Sequence, residues 1–179
     1  MKARFKKFIT LGIIFALTTF LTSSFTIAAT DSVTATVLAQ NVAVSLNQSS
    51  FDYGTVPINT ASSTLNLWAG AGITATNDGN ITAGLTINGA NTTGAGTTWT
   101  LDSANSTQDH YIHKFCNDTD NICTSPPTNF TALTTSPQTL KASVAAQGTV
   151  VFQLQLTTPQ TVADYNQQSA AVTITISAS

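Results

Sequence analysis

The chain has 179 residues, of which 42% are hydrophobic and only 8% are charged, far below the share of about a quarter that is usual for a globular protein. Four of its six cations lie within the first seven residues, so residues 30–179 carry two lysines against eight aspartates, a net charge of 2 − 8 = −6. Nucleic-acid binding needs clustered cations that displace phosphate counterions, and this composition excludes it.

The first segment, residues 1–29, has the order of a secretory signal peptide. Four cations precede an apolar run from Phe8 to about Leu21, and small residues follow up to Ala29. This order predicts cleavage after Ala28 or Ala29. A retained membrane anchor is the less favoured alternative, because the apolar run is short and interrupted. We therefore predict an extracellular protein of the cell surface, with no membrane anchor after signal cleavage.

The remaining residues, 30–179, alternate between apolar and polar side chains with a period of two. This pattern is typical of antiparallel strands that place one face on a core. In chain order, the apolar residues that share a face are Val33, Ala35 and Val37; Val42, Val44 and Leu46; Leu65 and Leu67; Leu85 and Ile87; Trp99 and Leu101; Tyr111 and His113; Val150, Phe152, Leu154 and Leu156; and Val172, Ile174 and Ile176.

Turn sequences such as NDGN, INGAN and AAQG separate these runs, and residues 90–98 and 119–136 are predicted as loops. No segment shows a helical period. The pattern predicts an all-β fold, in which residues 30–179 form a single antiparallel two-sheet immunoglobulin-like sandwich of about nine to ten strands. A closed barrel is the alternative.

Four stretches carry a resemblance to known proteins: FDYGTVPINTASST, ATNDGNITAGLTING, SVAAQGTVVFQLQLTTP and ADYNQQSAAVTITIS. Their turns, their long amphipathic strand and the tyrosine before the last strand resemble those of bacterial secreted immunoglobulin-like surface proteins of the WxL-like and camelysin-like kinds. The resemblance covers most of residues 30–179. It implies an immunoglobulin-like fold at the cell surface and, for the camelysin-like group, a place in an extracellular matrix or fibre.

The only two cysteines, Cys116 and Cys123, enclose the sequence NDTDNI. In a secreted chain, two cysteines at this spacing predict a disulfide that staples a small loop. The alternative is a calcium site on the oxygen-bearing side chains of Asn117, Asp118, Asp120 and Asn121. It is less favoured, because Asn and Asp in turns usually bond their own backbone. We predict no cofactor.

His110 and His113, next to Asp109, are the only histidines. Residues three apart on a strand point to opposite faces, so the two rings cannot share one metal ion. No serine lies in a Gly-x-Ser-x-Gly turn, and the aspartates form no recognisable catalytic pair. The sequence therefore predicts a protein that is not an enzyme.

Five Trp and Tyr residues could stack on sugar rings if they were exposed: Tyr53, Trp68, Trp99, Tyr111 and Tyr165. Trp99 is in phase with Leu101, and Tyr165 precedes the last strand, where a sandwich tyrosine often bonds a neighbouring turn. We therefore predict that these two contribute to the core. Trp68, next to AGAG, is the candidate ligand contact.

Function is predicted from the setting and the fold. We expect a secreted, non-catalytic structural or adhesive protein that acts through sheet edges and loops and associates with itself or with other surface proteins. The run TDSVTATVLAQNVAVSLN either forms the first strands of its own domain or completes the sheet of a neighbouring copy. The alternatives are a soluble carbohydrate-binding module, with a glycan as partner, and a calcium-stabilised surface protein.

Overall fold

The computed structural model describes residues 31–67, 71–105, 107–124 and 128–179. The predicted signal peptide and Trp68 lie outside these residues. One unit spans Ala39–Ser179, and the residues before it form a separate unit. Within that separate unit, residues 31–38 have no regular secondary structure, and Val33 and Val37 are exposed.

Twelve strands and one helical turn occur in the described part of the chain. They are β1 (Val44–Leu46), β2 (Ala61–Ser63), α1 (Thr64–Leu67), β3 (Ile73–Asn77), β4 (Ala83–Gly89), β5 (Thr93–Gly94), β6 (Thr100–Leu101), β7 (His110–Asn117), β8 (Thr131–Ala132), β9 (Gln138–Val144), β10 (Thr149–Thr157), β11 (Gln168–Ser169) and β12 (Val172–Ala178). The predicted all-β class is confirmed. Two short strands, β5 and β8, lie within the segments that were predicted as loops.

The strands form three sheets, and among the described residues none of them closes on itself. The largest has seven strands, with β1, β3, β10, β7 and β6 side by side, while β2 pairs with β10 and β8 pairs with β7. A second sheet has the order β12, β4, β9, and β5 pairs with β11 in the third. Neighbouring strands are antiparallel except for β6 and β7, which are parallel.

The buried core draws its side chains from both the seven-stranded and the three-stranded sheet. The alternating apolar residues of β10 and β4 turn toward it, and Leu85 and Ile87 have no exposed surface. Burying each such side chain contributes about 1.5–3 kcal/mol. The buried cluster consists of Ile73, Ala75, Leu85, Ile87, Phe115, Leu133, Leu140, Val144, Val150, Phe152 and Leu154.

Two predicted strands are absent. Strand β2 ends at Ser63, and the chain then forms a helical turn over Thr64–Leu67, where alternation predicted a strand. The buried Thr64 hydroxyl accepts the Leu154 N–H at 2.9 Å and lies 2.6 Å from the Gln153 carboxamide oxygen. A side chain therefore replaces the main-chain partner that a longer β2 would offer.

The other missing strand is the run Val33, Ala35 and Val37, which alternates as predicted but forms no strand. Strand β1 begins only at Val44. The described part of the chain holds no helix long and apolar enough to cross a membrane.

Candidate functional site: an open edge and a disulfide loop

Strand β12 is a free edge of the three-stranded sheet. It pairs with β4 along all seven of its residues, and no described strand pairs with its other side. Its sequence, VTITISA, contains no charged residue and no proline. Charges, prolines, bulges and short length are the features that normally protect an edge from pairing with another chain. Strand β12 has none of them.

The other edges of the two large sheets are better protected. Strand β9 carries Lys141 and pairs with β4 in a register that shifts twice. Strand β1 has three residues, and β6 and β8 have two each. Of the described edges in these sheets, only β12 is both long and regular.

Apolar side chains near β12 are incompletely covered. Ile174 and Ile176 lie opposite the buried Ile87 and Leu85, so they face the core, yet both are only partly buried. Strand β1 contacts β12 and contributes Val44, which is partly buried, and Leu46, which is 38% exposed. A strip of partly exposed apolar surface therefore runs between these two edge strands.

The disulfide loop, residues 116–123, starts at the end of β7 and bonds the middle of β9, so it links the two main sheets. Cys116 and Cys123 form the predicted disulfide, with an S–S length of 2.13 Å, and both are buried. The Asn117 side-chain amide donates to the Leu140 carbonyl at 2.7 Å, and Lys141 of β9 forms an ion pair with Asp120. The disulfide indicates an oxidising environment, as expected of an extracellular protein.

Of the four side chains that were considered for calcium, Asn117, Asp118 and Asp120 have oxygens that accept hydrogen bonds. The Asp118 carboxylate accepts the Cys123 N–H at 2.8 Å and the Gln153 amide at 3.1 Å. Asp120 pairs with Lys141 and accepts an amide bond from Asn117 at 2.9 Å. Calcium needs six to eight oxygens, and on Asp120 it would compete with the Lys141 ammonium. Within the described ranges, no three His, Cys, Asp or Glu residues are grouped to hold a metal ion.

A cavity of about 400 Å³ lies beside this loop. Its apolar lining comes from Phe115, Leu140 and Cys116. Asn121, Thr131 and Thr139 contribute polar groups. The carboxamide of Asn129, which also lines it, is engaged with Ile122 and Thr124. The Asp120 carboxylate also lines the cavity, and the space is largely open to solvent.

The two histidines lie on opposite faces of β7, as their spacing predicts. His113 is 1% exposed, and its Nε2 lies 3.0 Å from the Tyr53 hydroxyl. Its Nδ1 has no hydrogen-bond partner among the described residues. Burial lowers the pKa of His113 to about 4. Burial also raises the pKa of Tyr53 well above its usual value, and the nearby Tyr111 raises it further. Both side chains are therefore neutral at pH 7.

His110 has a different environment. Its Nδ1 lies 3.0 Å from the Asp102 carboxylate, and the hydrogen bond from this ring lowers the pKa of Asp102. The Ser103 hydroxyl lies 3.4 Å from the same carboxylate, and no described bond joins it to the ring. Asp109 accepts the Ala163 N–H instead. These contacts join β7 and its neighbouring loops, and among the described residues none of them sets a nucleophile on the His110 ring.

The aromatic residues only partly follow the predictions. Trp99 is half-buried and packs at 6.4 Å against Tyr111. Tyr165 is 85% exposed, so its predicted place in the core is wrong. The buried Tyr111 instead donates its hydroxyl to the Ala90 carbonyl at 2.6 Å, the bond to a neighbouring turn that was expected of Tyr165. Trp68, the predicted ligand contact, lies outside the described residues.

Sequence reasoning missed an amide clamp at the start of the fold. Asn80 accepts the Asn41 N–H at 2.8 Å and donates to the Ala39 carbonyl at 2.8 Å, and its own N–H bonds the Asn41 carbonyl at 3.1 Å. The turn sequence NDGN was recognised, but its partner 40 residues upstream gives no local signal. The clamp holds Ala39 and Asn41 at the turn that contains Asn80.

Comparison with protein-family models, with curated proteins and with solved structures found no match. The resemblance to WxL-like and camelysin-like proteins therefore remains a hypothesis based on the sequence motifs.

Proposed function

We propose that this chain is a secreted, non-catalytic structural subunit of the cell surface that associates with copies of itself through the free edge of β12. In this proposal the two main sheets form an immunoglobulin-like sandwich that is left incomplete at one side. The observation that carries it is the long, regular and uncharged edge of β12 above partly exposed apolar side chains. An added strand would satisfy the free main-chain groups and cover this surface.

The occupant we propose is the segment 32–38 of a second copy. Its seven residues equal the length of β12, about 23 Å at the rise of an extended strand. Val33, Ala35 and Val37 would share one face, and Ser32, Thr34, Thr36 and Leu38 would lie on the other. Val33 and Val37 are 94% and 96% exposed. The segment therefore has the length and the apolar face that a strand added to the β12 edge would need.

A charge introduced on the β12 edge tests this proposal directly. Thr175 is exposed on β12, and a lysine there would add the charge that protects natural edges. Ser143 is exposed on β9, the opposite edge of the same sheet, and Ser143→Lys is the matched control. We expect Thr175→Lys to lower the association constant about tenfold or more, and Ser143→Lys to leave it unchanged. Sedimentation velocity over a range of concentrations measures this constant. Equal behaviour of both variants and the parent would contradict the role of β12.

A carbohydrate-binding module is the second candidate, and the cavity beside the disulfide loop favours it. Its lining combines the apolar Phe115 and Leu140 with the hydroxyl, carboxamide and carboxylate groups that can bond a sugar. Titration with N-acetylglucosamine and galactose, followed by NMR, should then shift the amide resonances of Asn121 and Thr131. An absence of saturable shifts with either sugar would count against this candidate.

A further inference from the structure

Six Asn-x-Ser/Thr sequences occur in the chain, and the fold treats them differently. Such a tripeptide is the acceptor signal for N-linked sugars. A transferase that acts on a folded protein needs the asparagine side-chain nitrogen to be free and the tripeptide to be accessible. The six asparagines are Asn47, Asn80, Asn91, Asn105, Asn117 and Asn129.

Four of the six use the side-chain nitrogen within the fold. Asn80 donates it to Ala39, and Asn105 donates it to Asn59 and Thr158. Asn117 donates to Asp120 and to the Leu140 carbonyl, and Asn129 donates to the Ile122 carbonyl. A side-chain amide nitrogen has two hydrogens, and a sugar replaces one of them. Asn105 and Asn117 donate both, so a sugar there would displace a bond. Asn80 and Asn129 donate one, and their side-chain oxygens also accept a main-chain N–H, so each carboxamide is held at both ends.

The nitrogens of Asn47 and Asn91 have no hydrogen bond to a described group. In both residues the side-chain oxygen accepts a main-chain N–H, from Thr74 at 2.8 Å and from Leu101 at 3.0 Å. The carboxamide is therefore held with its nitrogen available. This feature separates two sites from the other four.

The middle residue separates Asn47 from Asn91. Thr92, in the Asn91 sequence, is 2% exposed, and its hydroxyl lies 2.7 Å from the Gln168 side chain. A transferase would have to pull it out of the fold. In contrast, Asn47, Gln48 and Ser49 are all exposed and follow the end of β1. Only this tripeptide is presented whole among the described residues.

We infer that Asn47 is the N-glycan acceptor site of the folded protein. The sugar donor is a nucleotide-activated hexose. The Asn47 nitrogen forms a bond to the sugar C1, the bond from C1 to the diphosphate breaks, the nucleoside diphosphate leaves, and the amide proton passes to a base of the transferase. The inference does not rest on self-association.

The test uses the full secreted protein, a soluble N-glucosyltransferase and UDP-glucose. The enzyme is first shown to accept synthetic peptides of all six sequences, so that any selectivity comes from the fold. We expect the folded protein to gain a single hexose by mass spectrometry, at Asn47 by peptide mapping. Asn47→Gln should abolish the gain, and Asn91→Gln should leave it unchanged.

Two outcomes would overturn the inference. One is hexose on any of the other five asparagines of the folded protein at a rate comparable with Asn47. The other is no hexose at Asn47 although the enzyme modifies the matching peptide. Circular dichroism of each variant, compared with the parent, separates a lost acceptor from a lost fold.

Discussion

At the residue scale, the His113 imidazole is held inside the core with one nitrogen on Tyr53 and the other without a described partner. A proton on this ring would place a charge and an unbonded N–H where water does not reach, which is costly. The only other titratable side chain in described contact with the ring, besides Tyr53, is Tyr111, with ring centroids 6.3 Å apart. Neither tyrosine supplies a negative charge near neutral pH.

We predict that the protein loses stability in mild acid through this residue. The unfolded chain binds a proton at His113 below about pH 6.5, whereas the native state, with its pKa of about 4, does not. The free energy of unfolding therefore falls as the pH drops from 6.5 to 4, by about 3 kcal/mol in total. Urea denaturation at several pH values measures it.

The control for this prediction is the other histidine. His113→Gln should remove most of the loss over this pH range, whatever its effect on stability at pH 7, because the titrating group is gone. His110→Gln, at a half-buried ring beside Asp102, should keep the loss. The same pH dependence in His113→Gln as in the parent would contradict the assignment.

Individual residues differ in how far the sequence predicts their positions and bonds. The Cys116–Cys123 bond follows from the spacing in a chain with a predicted signal peptide, since no other cysteine competes. The buried place of Tyr111 follows from its alternation with His113, but the exposure of Tyr165 does not follow, because no local pattern shows which tyrosine bonds a turn. The Asn80 clamp joins segments that are distant in sequence, so no local pattern predicts it.

At the element scale, alternation predicted the long strands well. The apolar faces of β10 and β12 are the ones that turn toward the core. The same pattern at residues 33–37 produced no strand, and at Leu65 and Leu67 it coincides with a helical turn. Alternation reports which face could be buried, but a strand also needs a partner for its backbone, and the partner is set by topology.

The Cys116–Cys123 disulfide should stabilise the loop that it closes, residues 116–123. A loop of this size removes about 2.5 kcal/mol of unfolded-state entropy when it is closed. We expect the Cys116→Ala, Cys123→Ala double variant to lose roughly that amount in urea denaturation. The parent treated with reductant and alkylated should lose a similar amount. Free thiols in the native parent, found by alkylation without reductant, would contradict the bond itself.

Removal of the proposed donor tests the other half of the association. A protein that lacks residues 31–38 keeps Ala39 and its bond to Asn80, so the unit from Ala39 onward should retain its melting temperature. We expect the shortened protein to stay monomeric at concentrations at which the parent associates. It should also bind a synthetic peptide of residues 31–39. Unchanged association after the deletion would rule out strand donation.

At the scale of the whole molecule, the unit Ala39–Ser179 is asymmetric. At one side, the disulfide loop joins β7 to β9 through Asn117, Asp120 and Lys141. At the other side, β1 and β12 contact each other but leave apolar side chains partly exposed. A net charge of 2 − 8 = −6 over residues 30–179 resists non-specific aggregation. Yet β12 itself carries no charge to oppose pairing.

The most direct test of this account is multi-angle light scattering of the secreted protein over a hundredfold range of concentration, with negative-stain microscopy of the same samples. Association through a donated strand predicts a mass that rises in steps of one chain, with ordered rows or filaments at the highest concentrations. A mass of one chain at every concentration, without ordered assemblies, would contradict self-association through the β12 edge.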